Sequence, residues 1–226
     1  MALYNDIIPK GTVIVGDGTT RGGVAVTIGA DNTVLQADSG QSGGIGWTAS
    51  PTLTPTNTGT ANTGVTATEE GDDYTHRTTL VVSQTDALTT ADNAAICDGY
   101  LLYTFPAGVI VVDNAYMTMA VTSASSEQQS DAPDVGLGTV IGSGAVATLD
   151  GTATFEDILT GQTATDSNGT ATVAVGRTTV AGGLPVAAGA AHTVHFNVAD
   201  TWADDTGADL TMDIAGTVVL TWRFLA

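Results

Sequence analysis

The densest group of side chains that can bind a ligand is the stretch ADTWADDTGAD near the C-terminus. It contains four carboxylates, at Asp200, Asp204, Asp205 and Asp209. Calcium takes six to eight oxygen ligands, and loops rich in aspartate can supply them. The ligand spacing of an EF-hand is absent, so the sequence favours a solvated acidic loop. A structural calcium ion at these residues is the alternative, and no other cofactor is predicted.

The other polar residues do not predict catalysis. His192 and His195 are three residues apart on a predicted strand, so they point to opposite faces, and nothing places His76 beside them. No G-x-S-x-G nucleophile motif, P-loop or dinucleotide-binding fingerprint occurs. A glycosidase needs two carboxylates across a cleft and aromatic rings that hold the sugar, but aromatics make up only 5% of the chain. The sequence therefore predicts a protein that is not an enzyme.

Two single residues have a structural interpretation and a functional one. Trp202 lies inside the acidic stretch, where it either anchors the loop or stacks on a sugar ring, and the anchor is favoured. Cys97 is the single cysteine, so no intrachain disulfide is possible. Its apolar surroundings predict a small buried side chain and not a reactive thiol.

The elements that must position these residues are predicted to be strands. The longest apolar block, residues 99–122, is broken by proline and glycine at 106–108 and is expected to form core strands on both sides of that break. A turn is expected at Asp113-Asn114. After it, Ala115, Met117, Met119 and Val121 alternate with Tyr116, Thr118, Ala120 and Thr122, which is typical of a strand with one buried face.

The rest of the sequence after residue 74 follows the same pattern. About nine or ten strands are expected, joined by turns rich in glycine, aspartate and asparagine. Strands are also expected at residues 145–149 and 152–155, with hairpin turns at 150–151 and 168–169. Single helical turns are expected within residues 86–97 and 156–159. The predicted fold is all-β, with an antiparallel, jelly-roll-like β-sandwich as the body at residues 74–226.

The first 73 residues predict two further parts. Residues 1–48, called the arm below, contain short β-branched runs but too few apolar side chains to bury a core alone. Trp47 stands by itself in a tract rich in glycine and serine. Residues 49–73 are rich in threonine, asparagine, glycine and proline and predict an extended linker.

The charge of the chain excludes some partners. Five Lys and Arg residues stand against 24 Asp and Glu residues, a net charge of −19. Such a surface repels nucleic acid and anionic membranes. The near absence of lysine is similar to proteins of salt-loving archaea, in which salt screens the self-repulsion; an ordinary acidic extracellular surface is the alternative. No apolar run is long enough to span a membrane, and the N-terminus lacks the pattern of a secretory signal.

The arm resembles a module of tail-fibre and head-fibre proteins from tailed viruses. The resemblance covers the stretches KGTVIVGDGT at 10–19 and VTIGADNTVLQADSGQSGGIGWTA at 26–49. Stretches 134–155 and 197–222 are similar in style to phage structural proteins. The arm departs from the module's pattern at residues 21–23. The matching residues of the arm are Lys10, Gly11, Gly16, Gly29, Asp31, Val34, Leu35, Ala37, Asp38, Ser39, Gly44, Ile45 and Trp47.

The resemblance implies a non-enzymatic virion protein on the outer surface of the capsid, which decorates and stabilises the shell through the arm. Its expected partners are the major capsid protein or another virion protein, and sister copies in a homo-oligomer, expected to be a trimer. Lys10, Arg21 and Trp47 are the predicted partner-binding residues, Arg21 because it can pair with an acidic partner and Trp47 as an apolar anchor. The alternatives are an ordinary surface ion pair for Arg21 and packing of Trp47 on its own chain. The alternative is a head-fibre, turret or tail-fibre protein whose body binds a glycan or receptor on the host surface.

Overall fold

The computed structural model describes residues 13–16, 23–26, 29–30, 33–41, 44–48, 55–90, 94–123, 132–149, 154–164, 172–186, 192–202 and 211–225. The chain divides into two compact units, an N-terminal unit, Met1–Leu53, and a sandwich unit, Thr54–Ala226. Every regular element among the described residues is a strand. These residues contain no helix long and apolar enough to cross a membrane.

The described part of the N-terminal unit consists of two short antiparallel strand pairs. Strand β1 (Val13–Gly16) pairs with β2 (Gly23–Val26), and β3 (Val34–Ala37) pairs with β4 (Ile45–Thr48). Strands β1, β2 and β3 coincide with β-branched runs of the arm. Strand β4 places Trp47 directly opposite Leu35 of β3.

The sandwich unit contains ten described strands in two five-stranded sheets. Sheet I has the order β11-β10-β13-β8-β5, and sheet II has the order β12-β9-β14-β7-β6. All paired strands are antiparallel, which confirms the predicted all-β antiparallel sandwich. The strands are β5 (Thr60–Ala61), β6 (Val65–Gly71), β7 (Thr75–Thr89), β8 (Ala95–Thr104), β9 (Ile110–Ser123), β10 (Asp134–Gly138), β11 (Leu159–Thr163), β12 (Thr172–Val186), β13 (Thr193–Thr201) and β14 (Thr211–Phe224).

The hydrophobic core draws side chains from both sheets. Its largest fully buried members include Trp222, Tyr103 and Phe196. The alternation predicted for the central block is confirmed, because four residues of β9 are fully buried in this core while the residues between them are not. These four are Ala115, Met117, Met119 and Val121.

The expected turn at Asp113-Asn114 is wrong. Strand β9 continues through these residues, and the ladder with β14 shifts there, because Thr221 pairs with Asn114 whereas Trp222 pairs with Val112. Asp113 is therefore the extra residue of a β-bulge. A bulge takes up the polar pair without ending the strand.

Strand β14 likewise continues from Thr211 to Phe224, although Gly216 interrupts the alternation of its side chains. The φ of Gly216 is +152°. A Cβ at this position would collide with the backbone carbonyl oxygen of Thr118 on β9. Glycine is therefore the residue that allows β14 to continue alongside β9.

The strands and the helical turn predicted within residues 139–158, which we call the covering segment, are also wrong. The described residues of 145–149 and 154–155 form loop and turn structure instead of strands, and no helical turn forms at 156–158. Leu149 and the half-buried Phe155 pack with Cys97 and Ala199, a cluster separate from the main core. The residues predicted as hairpin turns at 150–151 and 168–169 lie outside the described residues.

Two further expectations differ from the structure. Residues 60–71 of the predicted linker form β5 and β6, which pair with β8 and β7 at the edges of the two sheets. The expected helical turn within residues 86–97 is wrong for its described part, because 86–89 end β7 and 95–97 begin β8. Threonine and valine at these edges suit a strand, although the local composition resembles a loop.

Candidate functional site

The predicted partner-binding residues fall in the N-terminal unit. Lys10 and Arg21 lie outside the described residues. Trp47 is 36% exposed, and a Cβ at Gly29 would collide with its ring, so the indole packs on its own unit and still presents one part to solvent. Val34 is 49% exposed. None of the described side chains of this unit is buried.

The acidic stretch is described only in part. Asp200 lies near the end of β13, where it accepts a hydrogen bond from the backbone N–H of Thr201 at 2.7 Å. Partial burial raises the pKa of the Asp200 carboxyl above its ordinary value. Asp204, Asp205 and Asp209 lie outside the described residues, so a calcium ion at these four residues stays a prediction.

Trp202 and Cys97 have the predicted structural roles. Trp202 is 3% exposed, and its indole N–H donates to the carbonyl oxygen of Ile96 at 3.3 Å. It is therefore an anchor between β13 and β8, and a sugar cannot reach its ring. Cys97 is 1% exposed, and burial raises the pKa of its thiol to about 11. At neutral pH the thiol is protonated and poorly nucleophilic.

The two sheets differ in what covers them. On sheet I, the covering segment is fastened by Asn197 of β13, whose side-chain oxygen accepts from the N–H of Gly142 at 2.7 Å. The amide nitrogen of Asn197 donates to the carbonyl oxygens of Val140 and Phe155, at 2.9 and 2.7 Å. On sheet II, the outward positions of β6, of β14 and of the stretches of β7 and β9 that face them, residues 75–83 and 114–122, are half-buried or exposed.

We call these outward positions of sheet II the threonine face, because many of them are threonines. Val81 and Tyr116 lie among them and are 53% and 37% exposed. The Tyr116 hydroxyl is 2.6 Å from Oγ1 of Thr118, the next outward residue of β9. The threonines of this face include Thr66, Thr68, Thr75, Thr79, Thr118, Thr122, Thr217 and Thr221.

The threonine face contains a shallow, open depression of about 350 Å³. A guanidinium, an amide, a phenol and a hydroxyl line it together with one apolar side chain. These groups come from three adjacent strands, β7, β14 and β9. The lining residues are Arg77, Asn114, Tyr116, Val219 and Thr221.

Cross-strand register explains why these residues meet. Thr221 lies opposite both Arg77 and Asn114, and Val219 lies opposite Tyr116. Directly opposite residues share a sheet face, with Cβ atoms about 5 Å apart. Arg177 on β12 is in register with Tyr116, so its position falls on the same face at the next strand.

Two arginines of the threonine face form exposed ion pairs. Nη1 of Arg77 lies 2.7 Å from Oε2 of Glu70 on β6, and Nε of Arg223 lies 3.0 Å from Oδ2 of Asp113. The side chains of Arg77 and Glu70 are 53% and 62% exposed. Exposed pairs contribute little to stability and exchange readily.

Comparison with known proteins identifies no relative. No family model matches the chain, and no curated protein or solved structure matches it.

Sequence reasoning missed the depression. The alternation of β9 places Tyr116 outside the core. The same alternation in β14 places Arg223 on the outward side, opposite to the buried side of Trp222. That signal assigns each residue to an outward face. It does not reveal that β7, β14 and β9 are neighbours, which the structure alone supplies.

Proposed function

We propose that the chain is a non-enzymatic structural protein on the outer surface of a tailed-virus capsid, attached and stabilising the shell through the arm. The observation that carries this proposal is that the described side chains of the N-terminal unit bury no core, while Val34 and Trp47 remain exposed. Such a segment gains stability by burying these side chains against a partner. The resemblance of residues 10–49 to a virion module supplies the kind of partner.

The strand order supports the jelly-roll interpretation of the sandwich unit. Within sheet II the order β7-β14-β9-β12 runs beside β8-β13-β10-β11 of sheet I. Strand β13 lies between β10 and β8 in sheet I, and β14 lies between β9 and β7 in sheet II. Each of these two late strands therefore lies between earlier strands of its own sheet, as in two Greek keys. Double-sheet jelly rolls occur in viral capsid, lectin and cupin domains, so the fold is compatible with a capsid role without specifying it.

The charge supports an outward position on the particle. A net charge of −19 makes contact with the packaged genome unfavourable, and it makes close contacts between copies depend on surfaces of low charge. Association of sister copies, expected as a trimer, is part of the proposal.

The test is binding to particles whose genome encodes the chain. A chain lacking residues 1–48 should keep the two-sheet core and lose particle binding. Trp47→Ala in the full chain should weaken binding about tenfold or more, because aromatic anchors dominate interfaces. Tyr74→Ala is the matched control, since Tyr74 is an aromatic residue of the sandwich unit and is 67% exposed.

Binding of the truncated chain at the strength of the full chain would contradict attachment by the arm. Absence of the chain from purified particles would contradict the virion assignment altogether. The number of copies of the chain in each particle distinguishes a decoration protein from a receptor-binding fibre. A decoration protein matches the capsid lattice, whereas a receptor-binding fibre is present in far fewer copies.

Recognition of a host-surface glycan is a second candidate function. The observation that favours it is the depression on the threonine face, where an aromatic ring lies beside amide, hydroxyl and guanidinium groups. Such a combination offers a sugar both a stacking surface and hydrogen bonds. This function does not depend on the arm, and both functions are compatible in one chain.

A further inference from the structure

We infer that the covering segment opens in mild acid: a proton on the buried ring of His195 favours a form in which residues 139–158 have left sheet I and solvent reaches the strands beneath them. The opening would expose Cys97 and the apolar residues that pack around it. The inference depends neither on attachment through the arm nor on recognition of a glycan, so its failure would leave both proposed functions standing.

His195 lies on the covered face of sheet I. Side chains of a strand alternate between its two faces, so His195 of β13 shares its face with Asn197 and Ala199. Asn197 bonds to the covering segment, and Ala199 packs with Leu149 of that segment. The ring, in a residue that is 8% exposed, therefore lies between the sheet and the segment, where a charge is poorly solvated.

Hydrogen bonds join His195 to both ends of the covering segment. Nε2 of His195 is 2.8 Å from Oγ1 of Thr193, and this hydroxyl donates to the carbonyl oxygen of Thr139 at 3.1 Å. Thr139 begins the segment, and Asp157 lies near its other end. The N–H and the hydroxyl of Thr139 donate to the two carboxylate oxygens of Asp157, at 2.8 and 2.6 Å. A continuous chain of hydrogen bonds thus runs from the imidazole to the place where the two ends of the segment meet.

These bonds determine which ring nitrogen takes up a proton. The Thr193 hydroxyl gives its hydrogen to Thr139, so its oxygen accepts one from Nε2 of His195, and the neutral ring carries its hydrogen on Nε2. Nδ1 is buried and has no hydrogen-bond partner among the described residues. A proton added there creates a charged N–H without an acceptor, which costs more than an ordinary unsatisfied donor. Opening of the segment lets water supply the acceptor.

The groups around His195 do not offset such a charge. Burial lowers the pKa of the ring below its ordinary value of 6.5, so the acids beside it do not compensate for the lost solvent. On the covered face, Cys97 and Asp134 both lie opposite Ala199. The titratable groups of the neighbouring described residues are Cys97, Asp98, Tyr100 and Tyr103 of β8, Asp134 of β10, Glu156 and Asp157 of the covering segment, and His192 and Asp200 near the two ends of β13.

Acid therefore favours the open form. As the pH falls, the solvated ring of the open form takes up a proton before the buried ring of the closed form does. If the solvated ring has the ordinary pKa of 6.5, the ratio of open to closed chains rises by up to about tenfold between about pH 7.5 and about pH 5.5. Asp157 acts in the opposite direction, because burial raises the pKa of its carboxyl and its protonation favours the closed form. It cannot imitate the expected rise.

The test uses the thiol of Cys97, the single cysteine. It lies under the covering segment, because a Cβ at Gly142 would collide with its sulfur atom. The full chain is labelled with dithiodipyridine, which reacts with thiols in mild acid, at about pH 7.5 and about pH 5.5, on either side of the ordinary pKa of histidine. Each rate is divided by the rate of the urea-unfolded chain at the same pH, which cancels the ionisation of the thiol. The ratio should rise severalfold on acidification, up to about tenfold.

Hydrogen exchange shows where the chain opens. Exchange rates, corrected for the intrinsic effect of pH, should rise at the amides of residues 139–149 on acidification. The amides of β9 in sheet II should keep their protection. Loss of protection in both places would mean global unfolding, for which the buried His76 of β7 is an equal candidate, and it would overturn the inference.

Variants identify the proton acceptor. His195→Gln keeps a neutral donor for Thr193 and takes up no proton, so its labelling ratio should be the same at both pH values. His195→Leu is a second neutral replacement and should behave in the same way if the first does not fold. His192→Gln is the matched control and should keep the rise. A rise that persists without His195, or an unaltered chain that labels equally at both pH values, would overturn the inference.

Discussion

At the scale of single residues, a chain of buried hydrogen bonds links the two sheets. The indole N–H of Trp222 donates to Oγ1 of Thr78 at 2.7 Å, and that hydroxyl donates to Oε2 of Glu69 at 2.8 Å. The hydroxyl of Tyr103, on sheet I, donates to the other oxygen of Glu69. Burial and the neighbouring carboxylate raise the pKa of the Tyr103 phenol. Glu69 thus accepts hydrogen bonds from both sides of the sandwich.

Thr78→Val should destabilise the sandwich unit by about 1–3 kcal/mol, because it leaves the buried Trp222 N–H without an acceptor and removes one donor to Glu69. The measurement is urea unfolding followed by tryptophan fluorescence. Thr79→Val, one residue further along β7 and on the threonine face, is the matched control and should change the free energy of unfolding by less than about 0.5 kcal/mol. Equal effects of the two changes would contradict a role for this hydrogen bond.

His195 predicts a dependence of stability on pH. Its ring is buried, with Nε2 2.8 Å from Oγ1 of Thr193, and burial lowers its pKa below the ordinary value of 6.5. The unfolded chain therefore binds a proton before the folded one as pH falls. The contribution of His195 to stability is complete above the unfolded pKa and is lost as pH falls through the folded pKa.

His195→Gln should therefore flatten the decline in unfolding free energy as the pH falls from neutral through the folded-state pKa. The measurement is urea unfolding at a series of pH values. His192→Gln removes an imidazole next to the same strand and should keep the decline. If the two variants show the same pH profile as the unaltered chain, His195 is not its source.

At the scale of elements, the covering segment shows how one side chain holds a long connection. Asn197 satisfies three backbone groups of residues 140–155, and it is fully buried. The oxygen and the amide nitrogen are both used, so aspartate cannot replace asparagine without losing two donated bonds.

Asn197→Ala should destabilise the sandwich unit by about 3 kcal/mol, because it leaves buried backbone groups unpaired. It should also increase hydrogen exchange of the amides at 139–149, which lie on the covering segment. Asn114→Ala on the threonine face is the control and should affect neither quantity by much. Unchanged exchange in the Asn197 variant would show that the segment is held by its apolar contacts alone.

The elements also show what a single sequence predicts well. Periodicity identified the buried side of β9, because Ala115, Met117, Met119 and Val121 differ so clearly from their neighbours. It failed where polar residues interrupt a continuous strand, as at Asp113, and where apolar residues cover a sheet without joining it, as at Leu149. In both places the partner strands decide the outcome, and a local pattern contains no information on them.

The candidate site was less predictable than the fold for the same reason. The sequence shows which residues of β7, β9 and β14 face outward. Only the strand order brings Arg77, Tyr116 and Thr221 together. For Trp47, binding to a partner stays a prediction, and packing on its own unit is observed. Its exposure is visible in the sparse composition around it, whereas its contact with Gly29 depends on the pairing of β3 with β4.

At the scale of the whole molecule, the chain combines an apolar core in the sandwich unit with a surface of strong negative charge. The core is shared by both sheets. The net charge of −19 opposes the compact state, because folding brings the carboxylates closer together. Stability should therefore depend on ionic strength more than it does for a protein of balanced charge.

We expect the midpoint of urea unfolding at neutral pH to rise between about 0.01 M and about 1 M potassium chloride, as the screening length falls from about 30 Å to about 3 Å. Because salt also affects apolar hydration, the control is the same titration near pH 4, where Asp and Glu begin to take up protons. The rise should be smaller there, since less charge remains to be screened. A midpoint that does not change with salt at neutral pH would contradict a salt-adapted surface. An equal rise at both pH values would assign the effect to apolar hydration instead of charge.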